Sequence, residues 1–138
     1  MKIDGINLGD YFRKASLHIF VLLAWSIAGF AFSFYNPAIS FAMGLVAPIP
    51  MIVLFGHLGG KFSRLGQAGF AGGLVGFITG LAAGLLMASE AVWQLYVPFV
   101  GSRILSIASY AAFIAVTRAI FGWLFALIGF ALFRGKFK

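Results

Sequence analysis

Two long stretches without a charged residue constrain this chain more than any other feature. The 46 residues between Lys14 and Lys61 carry no charged side chain, and neither do the 25 residues between Arg64 and Glu90. About 20 apolar residues are enough for a helix to cross a bilayer. Because 62% of the chain is hydrophobic and only 9% is charged, a soluble domain of this length would lack polar residues for its surface. The sequence therefore predicts an all-α integral membrane protein.

Proline, glycine and charged residues divide the chain into four predicted transmembrane helices within a single domain, residues 1–138. Asp10 is expected to cap the first helix. Pro48 and Pro50 fall near the middle of the second helix, where they should kink it; a broken or re-entrant helix is the alternative. The predicted helices cover residues 10–35, 38–58, 68–97 and 102–133.

The basic residues predict the orientation of this bundle. Eight of the ten lie before the first helix, between the second and third, or after the fourth: Lys2, Arg13, Lys14, Lys61, Arg64, Arg134, Lys136 and Lys138. The positive-inside rule places this side in the cytoplasm. The prediction is a four-helix bundle of two antiparallel hairpins in a cytoplasmic-type membrane, with both termini inside. Because the charges sit at span ends and form no basic stripe, the expected partner is the lipid bilayer and not nucleic acid.

Small residues form a face on each of the last two predicted helices. In the third helix they recur at four-residue spacing between Ala68 and Ala88, as a tandem glycine zipper of Gly72, Gly76, Gly80 and Gly84. In the fourth helix they follow steps of four and three: Ala112, Ala115, Ala119, Gly122, Ala126 and Gly129. Such residues let helix backbones approach closely in lipid. Both faces could pack within the chain, or at least one could join another copy or another membrane subunit.

These faces favour a structural or accessory subunit of a membrane complex or homo-oligomer. The alternative is a small oligomeric channel or transporter with a path between subunits. A path through one bundle is not expected, because the third helix offers only Thr79 as a polar residue between Gln67 and Ser89.

Arg118 is the one ionisable residue well within a predicted span, which makes it a candidate for function. Its guanidinium could rise to lipid headgroups or pair with Glu90, and we favour these structural roles over transport. Trp25 and Trp123 lie near the middle of their spans, where each indole N–H needs a partner. Interior packing is the expected role of both rings, with lipid or a hydrophobic cofactor as alternatives.

The sequence holds no recognisable catalytic or metal-binding set. Glu90, Arg118 and the two histidines form no acid–base arrangement, and no nucleotide or metalloprotease motif is present. His18 and His57 could meet across the first two helices, but Asp10 is the only carboxylate near them, which makes a poor metal set. The absence of cysteine removes disulfides and thiolate ligands. We expect no enzyme activity, no cofactor and no soluble small-molecule substrate.

Overall fold

The computed structural model describes residues 2–93, 103–134 and 136–137, with the side chains of residues 89–93 outside the description. The elements are β1 (Lys2–Ile3), β2 (Ile6–Asn7), α1 (Leu8–Tyr35), α2 (Pro37–Val46), α3 (Pro48–Gly60), α4 (Leu65–Trp93) and α5 (Arg103–Phe133). Among the described residues, α1, α5 and the Leu65–Ala88 part of α4 are long and apolar enough to cross a membrane. The bent pair α2 and α3 is a fourth candidate span. The chain thus has the helices of an all-α membrane protein.

A short β-hairpin precedes the helices, and the helical prediction missed it. The strands pair antiparallel, with Ile3 opposite Ile6. Asp4 and Gly5 both have positive φ, 49° and 84°, as a two-residue type I′ turn requires. The Tyr11 hydroxyl donates to the carbonyl of Ile3 at 3.0 Å, so the hairpin is fastened to the first turn of α1.

The first helix also begins earlier than predicted. It starts at Leu8, with Asn7 in the N-cap position and without a side-chain cap bond. Asp10 lies inside the first turn, where it pairs with Arg13 at 3.1 Å. The expected cap at Asp10 is therefore wrong, although its carboxylate still lies at the end of the helix that favours negative charge.

The two prolines break the second predicted helix into α2 and α3. The two axes are bent by 41°, and Ala47 lies between them. Pro48 is the first residue of α3, where a missing N–H removes no hydrogen bond. Pro50 lies in the same first turn, whose N–H groups have no intrahelical acceptor. Breaking the helix here places both rings where they cause no clash.

Helices α4 and α5 run antiparallel in close contact. Residues later in α4 contact residues earlier in α5. A β-carbon added to Gly80 would lie 2.9 Å from the Ala115 Cα, and one added to Gly84 would lie 2.8 Å from the Ala111 Cα. Such a carbon at Gly76 would overlap the carbonyl of Arg118. The glycine face of α4 therefore packs against α5 of the same chain.

Helix α3 packs against the same small-residue stripe of α5, toward its C-terminal end. A β-carbon at Gly59 would lie 2.9 Å from the Ala126 Cα, and one at Gly129 would overlap the backbone of Gly56. The buried core lies beside this contact and consists of Tyr11, Ala15, Leu22, Phe55, Leu58, Phe62, Ala68, Ala71 and Val75. The small-residue stripe of α5 thus serves two neighbours within one chain.

The start of α1, the α3–α4 connection and the C-terminal tail converge at one end of the bundle, which we call the basic end. Lys61 Nζ donates to the carbonyl of Lys14 at 3.3 Å. The ring of Phe137 lies 4.5 Å from that of His57. Arg64 pairs with Asp4 at 3.4 Å, so the hairpin lies at this end too.

The remaining helix bounds differ modestly from the predicted ones. Helix α4 begins at Leu65, three residues before the predicted start, and is described to Trp93. Helix α5 begins at Arg103. The predicted end of the third helix at residue 97 and the turn at residues 98–101 lie outside the described residues.

Candidate functional site

Helices α1, α2, α4 and α5 surround a cleft of about 540 Å³. It forms because α2 bends away from α3 and leans on α1, where Ser40 Oγ donates to the carbonyl of Gly29 at 2.8 Å. None of the residues of α2 is buried. The lining residues are Trp25, Ser26, Gly29, Phe30, Ser33, Pro37, Ser40, Phe41, Met43, Gly44, Ala47, Met87 and Arg118.

Among the described residues that line this cleft, one is charged, and it is Arg118. Its Nη1 donates to Ser26 Oγ at 3.5 Å and to the carbonyl of Thr79 at 3.4 Å. The guanidinium therefore turns sideways, toward α1 and α4. Both contacts are at the long limit for hydrogen bonds, and a guanidinium has five N–H donors. Among the described residues, its other donors have no hydrogen-bonding partner, so within this part of the chain the cleft holds a cation with unused donors.

The other polar groups of the cleft offer few donors. The hydroxyls of Ser26 and Ser33 donate to carbonyls of their own helix at 2.9 and 2.7 Å, and Ser40 donates to α1 as described. The carbonyl of Gly44 cannot accept the usual helical bond from position 48, because proline has no N–H. The serines and this carbonyl thus present lone pairs, while Arg118 presents N–H groups.

A pair of histidines joins α1 to α3 near the basic end. His18 is fully buried, and its Nε2 lies 2.9 Å from Nδ1 of His57. The rings are stacked with centroids 5.2 Å apart. His18 Nδ1 has no hydrogen-bonding partner among the described residues. Since a buried N–H without a partner is avoided more strongly than a bare lone pair, the arrangement favours the tautomer in which His18 donates through Nε2 and Nδ1 carries no proton.

Among the described residues, this histidine pair has no third side chain beside it that could complete a metal site. The described residues contain no group of three or more histidine or acidic side chains that could hold a metal ion. Asp10, the carboxylate considered with the histidines, pairs with Arg13 instead. The meeting of His18 and His57 across the first two spans, considered from the sequence, is present.

The zipper residues Gly72, Gly76, Gly80 and Gly84 all face α5. Within the chain, the α5 stripe packs at all of its predicted positions except one. Ala115, Gly122, Ala126 and Gly129 are buried, and the Ala119 Cα would lie 3.0 Å from a β-carbon at Gly76. Ala112 is exposed within the chain, and Ala111 is the residue buried against Gly84.

Several cleft residues were not singled out as site residues in the sequence. Ser26, Ser33 and Ser40 recur at seven-residue spacing, a signal that could have indicated one polar face running from α1 into α2. Trp25 was expected to pack in the interior and lines the cleft instead. The side chain of Glu90 lies outside the described residues, so its pairing with Arg118 stays a prediction.

Fold and site together define a helical membrane protein with a cationic cleft inside its bundle. Neither a protein-family model, nor a curated protein, nor a solved structure matches this chain.

Proposed function

We propose that this chain is a small, non-catalytic membrane transporter whose binding site for an anionic group is Arg118. The observation that supports it is the position of the guanidinium: it turns into a cleft that reaches the helix break at Ala47. A charged side chain inside a membrane is costly, by about 2.5–3.5 kcal/mol on insertion scales, and such residues commonly mark substrate pathways. An anchoring arginine would need only to reach the headgroups, whereas this one contacts two other helices.

The break between α2 and α3 supports transport because discontinuous helices commonly form midplane binding sites. The hydrogen bond between Ser40 and Gly29 makes α1 and α2 one unit. This unit contacts the α3–α4–α5 body partly through the long Arg118–Ser26 bond. An anion that binds Arg118 would replace Ser26 as its partner and so remove one of the contacts that join α1 and α2 to this body. The path then lies within one chain, in contrast to the path between subunits considered from the sequence.

Arg118→Leu tests this proposal in proteoliposomes. Wild-type protein should carry an anion flux, and Arg118→Leu should fold normally yet lose it, because no cation remains to hold the substrate. The flux is measured for a panel of organic anions across a vesicle membrane. Ser109→Ala is the matched control on the same helix, since its hydroxyl only donates to the carbonyl of Leu105 and should not affect flux.

Two results would contradict the transport role. One is equal flux in wild type and Arg118→Leu. The other is mutual dependence on Glu90: if Glu90→Gln and Arg118→Leu each destabilise the protein and the double change restores its stability, the two residues form a buried pair and no substrate site is needed.

We further propose that the basic end faces the cytoplasm, with both termini inside, in accord with the positive-inside rule. Ser63→Cys in the α3–α4 connection should be protected from an impermeant thiol reagent added outside intact cells. Tyr35→Cys, at the opposite end of α1, should react, because Tyr35 is 87% exposed. The native chain has no cysteine, so the background is zero. The reverse labelling pattern would invert the orientation.

The role of a structural or accessory subunit is the second candidate, and the outer face of α2 favours it. Ala38 and Ala42 are exposed there, and small residues favour helix association in lipid. Both faces on which this role was first based pack within the chain, so we place it second. The mass of the native particle in mild detergent tests it: a lone monomer argues against an accessory role.

A further inference from the structure

We infer that the ligand of the Arg118 cleft is an anionic amphiphile that enters sideways from the bilayer between α2 and α4. Its chemistry is a carboxylate or phosphate headgroup attached to a long apolar chain. This inference rests on the proposed anion site and adds the class of substrate and its route.

The supply of hydrogen-bond donors favours a ligand with one small acceptor group. The hydroxyls of Ser26, Ser33 and Ser40 already donate to backbone carbonyls. Within the described residues Arg118 retains unused N–H groups, and a planar guanidinium matches the geometry of carboxylate and phosphate oxygens. A ligand with several acceptor groups would leave most of them unpaired, which is unfavourable inside a membrane.

The rest of the cleft suits an apolar chain. Its walls carry aromatic, thioether and proline side chains: Trp25, Phe30, Pro37, Phe41, Met43 and Met87. A hydrated inorganic anion would have to lose its water against these walls, where Arg118 is the one charged donor among the described residues. The cleft volume of about 540 Å³ lies within the range of about 300–1,000 Å³ found for small-molecule sites.

The mouth of the cleft lies on the surface that faces lipid. Phe41 on α2 is 69% exposed and Met87 on α4 is 56% exposed, and both line the cleft. Large apolar side chains exposed on candidate membrane spans contact acyl chains. A lipid molecule could therefore slide its headgroup between α2 and α4 to reach Arg118 while its chain stays in an apolar environment.

Fluorescence quenching by brominated lipids in phosphatidylcholine nanodiscs tests the inference. Trp93→Phe and Trp123→Phe leave Trp25, in the cleft wall, as the sole indole. A brominated long-chain fatty acid and a brominated lysophosphatidic acid are titrated separately to distinguish carboxylate from phosphate headgroups. The matched brominated alcohol has no charge and reports nonspecific partitioning. At least one anionic lipid should quench Trp25 saturably, whereas the alcohol should quench only in proportion to its concentration.

Variants locate the binding in the cleft. Arg118→Gln should lower the affinity for the anionic lipid by about ten-fold or more, which is the effect of losing a hydrogen bond to a charged group. Gly44→Leu should weaken binding similarly, because a β-carbon at Gly44 meets no atom of the described residues within 4 Å and the new side chain extends into the cleft that Gly44 lines. Gly56→Leu is the control: Gly56 is equally open but lines a separate apolar groove between α3 and α5. It should leave the affinity unchanged, and an equal loss at Gly56 would place the lipid in that groove and overturn the inference.

Competition by a short, water-soluble anion separates failure of the inference from failure of the proposed function. Butyrate could displace the lipid as well as a long-chain acid does, with binding that is lost in Arg118→Gln. In that case the anion site stands but the amphiphile inference is wrong. If no anion of any length depends on Arg118, both are wrong. A gain in affinity of about ten-fold or more between butyrate and the long-chain acid supports the inference.

Discussion

Replacing Gly76 with alanine should destabilise the folded protein by about 1–3 kcal/mol, and Gly76→Leu should do so by at least as much. The new β-carbon would overlap the carbonyl of Arg118 on α5, and a backbone carbonyl cannot rotate away as a side chain can. Helices α4 and α5 must therefore separate. Unfolding in mixed micelles, followed as a function of the mole fraction of SDS, measures the loss.

Gly73→Ala provides the matched control on the same helix. A β-carbon at Gly73 would lie 3.9 Å from its nearest neighbours on α5, an ordinary van der Waals distance. Because alanine favours helix by up to about 1 kcal/mol over glycine, this variant should be as stable as the parent or slightly more stable. If Gly76→Ala and Gly73→Ala behave alike, the close approach of α4 to α5 at Gly76 is wrong.

The same contact links the scaffold to the cleft. Gly76 touches the backbone of Arg118, so the glycine there fixes how far the guanidinium projects toward Ser26 and Thr79. A small residue at this position thus has a structural role and a positioning role at once. Stability and anion affinity should therefore fall together in Gly76→Ala, whereas Arg118→Gln should change affinity alone.

The spans and their small-residue faces were predictable because their signals are local. Long uncharged stretches mark membrane helices wherever they occur, and four-residue spacing puts glycines on one helix face. The β-hairpin had a local signal too, since Asp4-Gly5 is a preferred type I′ pair. Its strands are only two residues long, however, and it is fixed by Gln67, whose Nε2 donates to the carbonyl of Asp4 at 2.9 Å. Contacts so distant in sequence cannot be read from a short pattern.

The cleft was beyond sequence reasoning for a related reason. Periodicity places Arg118 within a span but does not state which neighbouring helix its side chain meets. That direction depends on Ser26, which is 92 positions away in the sequence. Pro48 and Pro50 likewise predicted where the chain bends. They could not predict that α2 leans away from α3, because that depends on the contacts of α2 with α1.

His57→Phe should destabilise the protein by about 1–3 kcal/mol, because it leaves His18 fully buried with neither ring nitrogen paired among the described residues. Phenylalanine keeps an aromatic ring against His18 and Phe137, so lost stacking contributes little. The loss should appear in the same SDS unfolding measurement.

Replacing both histidines separates the hydrogen bond from packing. Removing both members of a buried hydrogen bond can be nearly neutral, whereas removing one leaves the other unsatisfied. The double variant His18→Leu with His57→Phe should therefore lose less stability than the sum of the two single changes, with a coupling of about 1 kcal/mol or more. Simple additivity would mean that the two rings contribute independently and that no hydrogen bond joins α1 to α3. A positive coupling would instead identify the pair as a polar fastening of the α1–α2 unit to the rest of the bundle, on the basic side of the Arg118 cleft.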